Sequence, residues 1–265
     1  MKHAKASIVY LPHGGGPMPQ LGEPNHAGLT QFLKSLGEQL PRPEAIVVIS
    51  AHWEADTIRV SSHPSPELIF DYFGFPDEAY QLSYPAPGSE LLAKNILTKL
   101  DEYGISATED RQRGFDHGTF VPLMLMYPKA DIPVVQVSLS QTLDPKTHIE
   151  LGQALSFLTE QSVLILGSGM SFHNMQAFMN QQSEVQQKAQ AFDSWLNGVV
   201  TEQSAEQAIE QLTQWFDAPE ARFAHPREEH LLPLLVCYGV AGRAGKRNFA
   251  ESLLGVPVSG FVWGD

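Results

Sequence analysis

Short runs of β-branched and other apolar residues alternate along this chain with longer segments of helical period, and that alternation restricts the fold more than any other feature. Residues 7–11 (SIVYL), 45–50 (AIVVIS), 133–139 (PVVQVSL) and 162–166 (SVLIL) read as buried strands. Residues 57–62 (TIRVSS) alternate as a half-buried strand does, and 261–263 read as a last strand. Between them the apolar positions recur at helical spacing. Residues 28–40 carry Leu29, Phe32, Leu33 and Leu36 on one face, and residues 89–103 carry Leu91, Leu92, Ile96 and Leu100. A helix over 147–159 follows the start signal Asp144-Pro145. Gln- and Glu-rich helices are expected over 184–200 and 204–216, with Trp195 and Trp215 turned inward. Strands alternating with helices predict an α/β fold: a single domain over residues 1–265 with a central, mostly parallel or mixed sheet flanked by helices. The stretch 63–87 is rich in proline and in aromatic residues, which predicts an ordered functional loop.

The positions of the ten histidines carry the chemistry. His13, His52 and His173 each fall just beyond the C-terminal end of a predicted core strand, the sheet edge where open α/β sheets bind ligands. His117 lies in the turn RGFDHG ahead of an apolar helix, and His230 lies in PREEHLLPL near the start of another. Several imidazoles converging from separate loops hold a divalent ion and leave coordination positions open. Taken singly, His13 or His52 reads as a hydrogen-bonded structural histidine; the shared strand-end placement reverses that for the group. His3, His26 and His148 are expected at the surface, and His63, before Pro64, in a turn. His225 reads equally as a support for a ligand, a substrate contact or a surface residue. HExxH, CxxC and the EF-hand loop are absent.

Other function classes find less support. Gly14, Gly15 and Gly16 match neither phosphate-binding glycine pattern, and G-x-S-x-G is missing, so the run is expected to let backbone pack tightly beside a site. A formal net charge of -13 argues against nucleic-acid partners. No segment has the apolar length of a membrane span, and the apolar run 6–11 is too short for a signal peptide, so a cytoplasmic, reducing setting is the default expectation. The single cysteine, Cys237, sits in the apolar run 231–238 and is expected to be buried and inert.

The segments LPHGGGP, ISAHWE, FDYFGFP, YPAPG, RGFDHG, IPVVQVSL, GSGMSFHN and PREEHLLPL occur in that order between Ile8 and Leu235. Together they resemble the class III extradiol ring-cleavage dioxygenases, the family of the protocatechuate 4,5-dioxygenase catalytic subunit, and especially its single-chain branch of DOPA 4,5-dioxygenases. The resemblance implies a non-haem iron(II) enzyme that opens a catechol-type ring with O2 to a ring-opened semialdehyde. It implies metal ligands at His13, His52 and His230, an acid/base at His173, and a second active-site histidine at His117 near dioxygen and substrate. The protocatechuate branch uses a glutamate as third ligand, which makes Glu229 the alternative to His230. HGGGP stands where the DOPA branch has HGSP, which bears on the substrate. Aromatics of the 63–87 loop are expected to cover the substrate, and Arg113 or Arg227 to pair with a substrate carboxylate or with a surface partner. The expected partners are a small aromatic diol and O2, and a homo-oligomer is compatible with the sequence. Residue types alone also fit a zinc(II) hydrolase, or a non-enzymatic metal-binding relative, on the same three histidines.

Overall fold

The apolar runs form the centre of one eight-stranded sheet. The computed structural model describes residues 6–180 and 182–264, so His3 lies outside the described residues. In chain order the strands are β1 (Ser7–Pro12), β2 (Ala45–Ala55), β3 (Ile58–Ser61), β4 (Ala107–Asp110), β5 (Val134–Ser140), β6 (Val163–Gly169), β7 (Lys246–Leu253) and β8 (Val256–Trp263). Across the sheet they run β4-β3-β5-β2-β6-β1-β8-β7. The four central strands β5, β2, β6 and β1 are mutually parallel. Antiparallel pairs flank them, β3 on β5 at one side and β8 on β1 at the other, so the sheet is mixed, as expected.

The helices are α1 (Ala27–Gln39), α2 (Glu90–Glu102), α3 (His117–Met126), α4 (Pro145–Ala154), α5 (Ser183–Glu202), α6 (Ala205–Thr213), α7 (Ala221–Ala224) and α8 (Leu232–Ala241). Every residue of β5 and β6 is buried, because helices cover both faces of the central strands. Adjacent residues of β6 show the two faces. Ser168 donates its hydroxyl to the Gly118 carbonyl of α3, while a Cβ at Gly167 would meet Pro233 and Cys237 of α8 at 2.7 and 2.6 Å. α8 is apolar all round and buried from Leu232 to Val240, as a helix pressed directly on a sheet must be. Cys237 is buried there, and burial pushes its thiol up to about 12, which keeps it protonated and inert.

The 63–87 loop is ordered without regular structure. Its hydrogen bonds to Phe115 from Glu67 and Ile69 tie it to the start of α3, and a single 3-10 turn spans Asp77–Tyr80. Among the described residues, no helix is long and apolar enough to cross a membrane.

Three expectations need correction. His52 lies within β2, which continues to Ala55; its register against β5 shifts between Ile49 and Glu54, and this irregularity presents His52 at the sheet edge. His26 is fully buried: its Nε2 accepts from the Gly15 amide at 3.0 Å and its Nδ1 bonds Glu23 at 2.7 Å. His148 is also fully buried, its Nδ1 donating to the Asp144 carbonyl and its Nε2 accepting from the Ser140 amide. Both rings replace backbone partners in turns, and such positions look polar in sequence. Trp215 is fully buried, whereas Trp195 only packs against the edge of the core.

Candidate metal centre

β1, β2 and β6 lie side by side, and the loops leaving β1 and β6, with the irregular last part of β2, deliver three histidines to one place. His13 follows β1, its amide bonded to the Gly169 carbonyl at the end of β6. The turn after it requires glycine: Gly14 has φ +84°, and a Cβ there would meet Pro19 and the His26 ring below 3.0 Å. His52 is held through its neighbours. Ser50 donates to Asp116 at 2.6 Å, Asp116 caps α3 through the Thr119 amide, and Arg113 bonds both Asp116 and the His52 carbonyl. That cap also sets His117 as the first residue of α3. His230 precedes α8, and its carbonyl accepts from the Tyr10 hydroxyl at 2.9 Å and the Met170 amide at 3.1 Å. The His173 amide donates to the Ala224 carbonyl at the end of α7.

All five predicted histidines converge. The ring centroids of His13, His52 and His230 form a near-equilateral triangle, with sides of 4.9, 5.2 and 4.9 Å. His117 lies 3.9 Å from His52 and 5.1 Å from His13, and His173 stacks on His230 at 3.4 Å. The ligand atoms fall into two separate sets, each within 4.8 Å: His13, His52 and His117 in one, and His173, Glu229 and His230 in the other.

Hydrogen bonds decide which nitrogens carry protons. His13 Nδ1 donates to the Gly14 carbonyl, which leaves its Nε2 bare. His230 Nδ1 lies 2.8 Å from Glu229 Oε1, and His117 Nδ1 lies 2.8 Å from Asp71 Oδ1. His230 Nε2 is buried without a hydrogen-bond partner. The Nε2 atoms of His13 and His52 are 3.2 Å apart. Two nitrogens each ~2.0–2.1 Å from one ion stand about 3.0–3.4 Å apart at common coordination angles, so this spacing fits a shared cation. A buried, unpartnered lone pair such as that of His230 Nε2 is costly unless a cation takes it.

The electrostatics keep these ligands neutral. Burial first, then the neighbouring imidazoles, holds His13 well below its ordinary range. Burial likewise lowers His52 to about 4. It also holds His230 well below the usual histidine range, against the opposing pull of Glu229. Burial pushes Glu229 up, but its hydrogen bonds with His173 and His230 outweigh this and hold the carboxyl well below the usual carboxylate range. Glu229 Oε1 also lies 3.4 Å from His173 Nδ1, so one carboxylate faces both rings. Asp71 lies beside His117 and, through Oδ2, 3.7 Å from His52 Nδ1.

A cavity of about 320 Å³ opens over the five imidazoles. Its walls are apolar, with Met18, Tyr72 and Phe75 on loops near the start of the fold and Met170, Phe178 and Leu254 on later segments. A larger cavity of about 490 Å³ lies in the 63–87 loop, but Glu67 is its only charged lining residue and it has no imidazole or thiol. Of the aromatics expected over the site, Tyr72, Phe73 and Phe75 line the cavity, whereas Phe70, Tyr80 and Tyr84 do not. Arg113 and Arg227 are committed elsewhere, Arg227 to Glu54 through two bonds of 2.6 Å. His225 is buried beside Trp215 and Phe192, bonded to the Ser171 carbonyl and outside the cavity.

Asp71, Asp116 and Tyr10 escape a reading of the sequence for site residues. Asp71 stood within the FDYFGFP segment, where a carboxylate between aromatics was the available signal. Asp116, directly before a helix start, reads as a cap and gives no hint that it anchors His52.

The chain is similar to known proteins over most of its length. The family model described as the catalytic LigB subunit of aromatic ring-opening dioxygenase matches residues 2–260. The chain is 42% identical over 246 residues to a 4,5-DOPA dioxygenase extradiol of Beta vulgaris, covering 92% of this chain and 90% of that protein. It is 35% identical over 243 residues to a 4,5-DOPA dioxygenase extradiol of Escherichia coli K12, covering 90% and 86%. It is 36% identical over 277 residues to dioxygenase tasH of Hapsidospora irregularis, covering 98% and 86%. The crystal structure of an uncharacterized protein of Escherichia coli K12 superposes with a TM-score of 0.77 at 27% identity, covering 97% of this chain and 99% of that one.

Proposed function

Since the chain belongs to the family of the catalytic LigB subunit of aromatic ring-opening dioxygenases, and is an extradiol ring-cleavage dioxygenase, we propose that residues 1–265 form one catalytic domain that opens a catechol-type diol with O2 at an iron(II) held by His13, His52 and His230. The observation that carries the ligand set is the ring triangle of His13, His52 and His230, in which the Nε2 of His230 is buried and unpartnered and those of His13 and His52 are 3.2 Å apart. His117 reaches the same space, but its place at the first turn of α3, with Asp71 on Nδ1, suits a group that faces substrate. Three imidazoles suit zinc(II) as well. Zinc has no redox chemistry, however, and ring opening by O2 requires a metal that passes electrons. A cytoplasmic, reducing setting that keeps the metal ferrous belongs to the same proposal.

Bound iron(II) supplies open positions for the diol and for O2 and a path for electrons from ring to oxygen. The chain's own residues do the rest. His173, with Nδ1 turned to Glu229, takes a diol proton at Nε2 and returns it as the O–O bond breaks. His117, with Nδ1 committed to Asp71, faces the developing negative charge through Nε2. The apolar walls exclude water from the reacting ring. Both atoms of O2 enter the product, a hydroxymuconic semialdehyde.

Anaerobic reconstitution with iron(II), followed by oxygen uptake with a panel of catechols, tests the reading. Stoichiometric uptake and a yellow ring-opened product are expected with iron and neither with zinc. Absence of product from every catechol tried would reject the reaction. Glu229→Gln keeps the shape beside His230 and His173 but removes the charge. It is expected to weaken metal binding about 10- to 100-fold in a competitive chelator titration; unchanged affinity would remove Glu229 from ligand support.

A further inference from the structure

The cavity over the five imidazoles is unusual in the charge it lacks. Among the described residues, no lysine or arginine lines it, and its only carboxylate is Asp71. Asp71 Oδ1 already takes both the amide and the Nδ1 of His117. The nearby arginines are not free to turn inward. Arg113 bonds Asp116 and the His52 carbonyl and lies over the Trp53 ring. Arg227 lies 2.6 Å from each Glu54 oxygen and 3.2 Å from Glu229. It lines a second cavity, of about 350 Å³, that shares His52 and His230 with the first and where two carboxylates, Glu54 and Glu229, outnumber it. A substrate carboxylate entering from either side therefore loses its water and meets a negative charge.

The remaining walls are thioether, aromatic and aliphatic, and the same character continues to the mouth. Phe73, 92% exposed, and Met175, 71% exposed, line the cavity at its rim. Large apolar side chains left in water around a pocket mark where an apolar partner completes the surface, and methionines adapt to varied shapes. The cavity, at about 320 Å³, lies at the small end of the ~300–1,000 Å³ typical of ligand pockets, which suits one ring with one modest substituent.

Resting on the catechol-cleaving reading above, we propose that this site selects catechols whose ring substituent is uncharged and apolar, an alkyl or aryl group, and discriminates against catechols bearing a carboxylate. DOPA, named in the relatives, carries a carboxylate and an ammonium; the cavity lining here offers the carboxylate no lysine or arginine.

Two measurements on the whole protein test this. With iron(II) enzyme, kcat/KM from oxygen uptake is compared for 4-methylcatechol, 4-tert-butylcatechol and 4-phenylcatechol against 3,4-dihydroxybenzoate and DOPA. A preference of roughly 100-fold or more for the neutral set is expected. With zinc(II)-loaded protein, which does not turn over, calorimetric titration of the same catechols should show the same order of affinity. Met175→Arg, which brings a cation to the rim, should narrow the gap in both measurements. Equal or tighter binding of the carboxylated catechols overturns the proposal. Selective binding of the neutral catechols without any turnover by the iron enzyme sinks the ring-cleavage reading instead, and supports the binding preference.

Discussion

Replacing His13, His52 or His230 by alanine, one at a time, is expected to take bound metal from one equivalent to near zero and ring cleavage to background. The three rings form a triangle about 5 Å on a side. Their neutral state is imposed by burial, so each presents a lone pair across the physiological pH range. Two remaining ligands of the proposed set, with His117 turned to substrate, are too few to hold a divalent ion against water and chelator. The fold should survive, because the edge of the sheet is supported by other contacts: Tyr10 and Met170 hold the backbone of residue 230, and Arg113 holds that of residue 52. Metal analysis after gel filtration, with circular dichroism as a check on folding, gives the answer. A variant that is folded and retains a full equivalent of metal removes that histidine from the ligand set. His117→Ala provides the sharpest contrast. It should keep its metal; if it loses metal while His230→Ala keeps it, the third ligand is His117, which lies in one close set with His13 and His52.

His173→Ala separates chemistry from binding. The ring stacks on His230 at 3.4 Å and shares Glu229 with it, yet its removal leaves the three proposed donors in place. Metal content should be unchanged, KM for the diol should change little, and kcat should fall about 10²- to 10⁴-fold, the usual contribution of a positioned acid/base. Wild-type kcat in a fully metal-loaded His173→Ala protein would remove the residue from the mechanism. Loss of metal instead would mean that His173 and Glu229 support His230 structurally, and the proton would need another carrier.

The central strands were legible because burial on both faces demands continuous apolar, β-branched runs, and β1, β2, β5 and β6 have them. The edge strands β4 and β7 were not. β4 reads ATED, four residues at a sheet edge with only partial cover. β7 buries only Phe249 and Leu253, so its charged exposed positions conceal a strand that exists through pairing with β8. The turn between them, Leu254 at φ 53° and Gly255 at φ 87°, is a hairpin signal that the sequence reading passed over. At the site, the strand-end histidines could be found by position alone. His26 and His148 could not be told from surface residues, since their burial depends on backbone groups that only the folded turns bring to them. Asp71 and Glu229 act through partners 46 residues and one residue away, and a carboxylate's choice of partner is written in distance, not in spacing.

The strand order also constrains how the molecule is made. β1, synthesised first, lies between β6 and β8, strands that begin at Val163 and Val256. Neither edge of this strand finds its neighbour until the segments from Val163 and from Val256 onward have left the ribosome. Pairing between such distant segments closes long loops and is slow. During that interval the apolar stretch Ile8–Leu11 is an unprotected edge. Assembly of the centre is therefore a late event in biosynthesis, and a nascent chain arrested before β8 would hold its first histidine on a strand with one side still open.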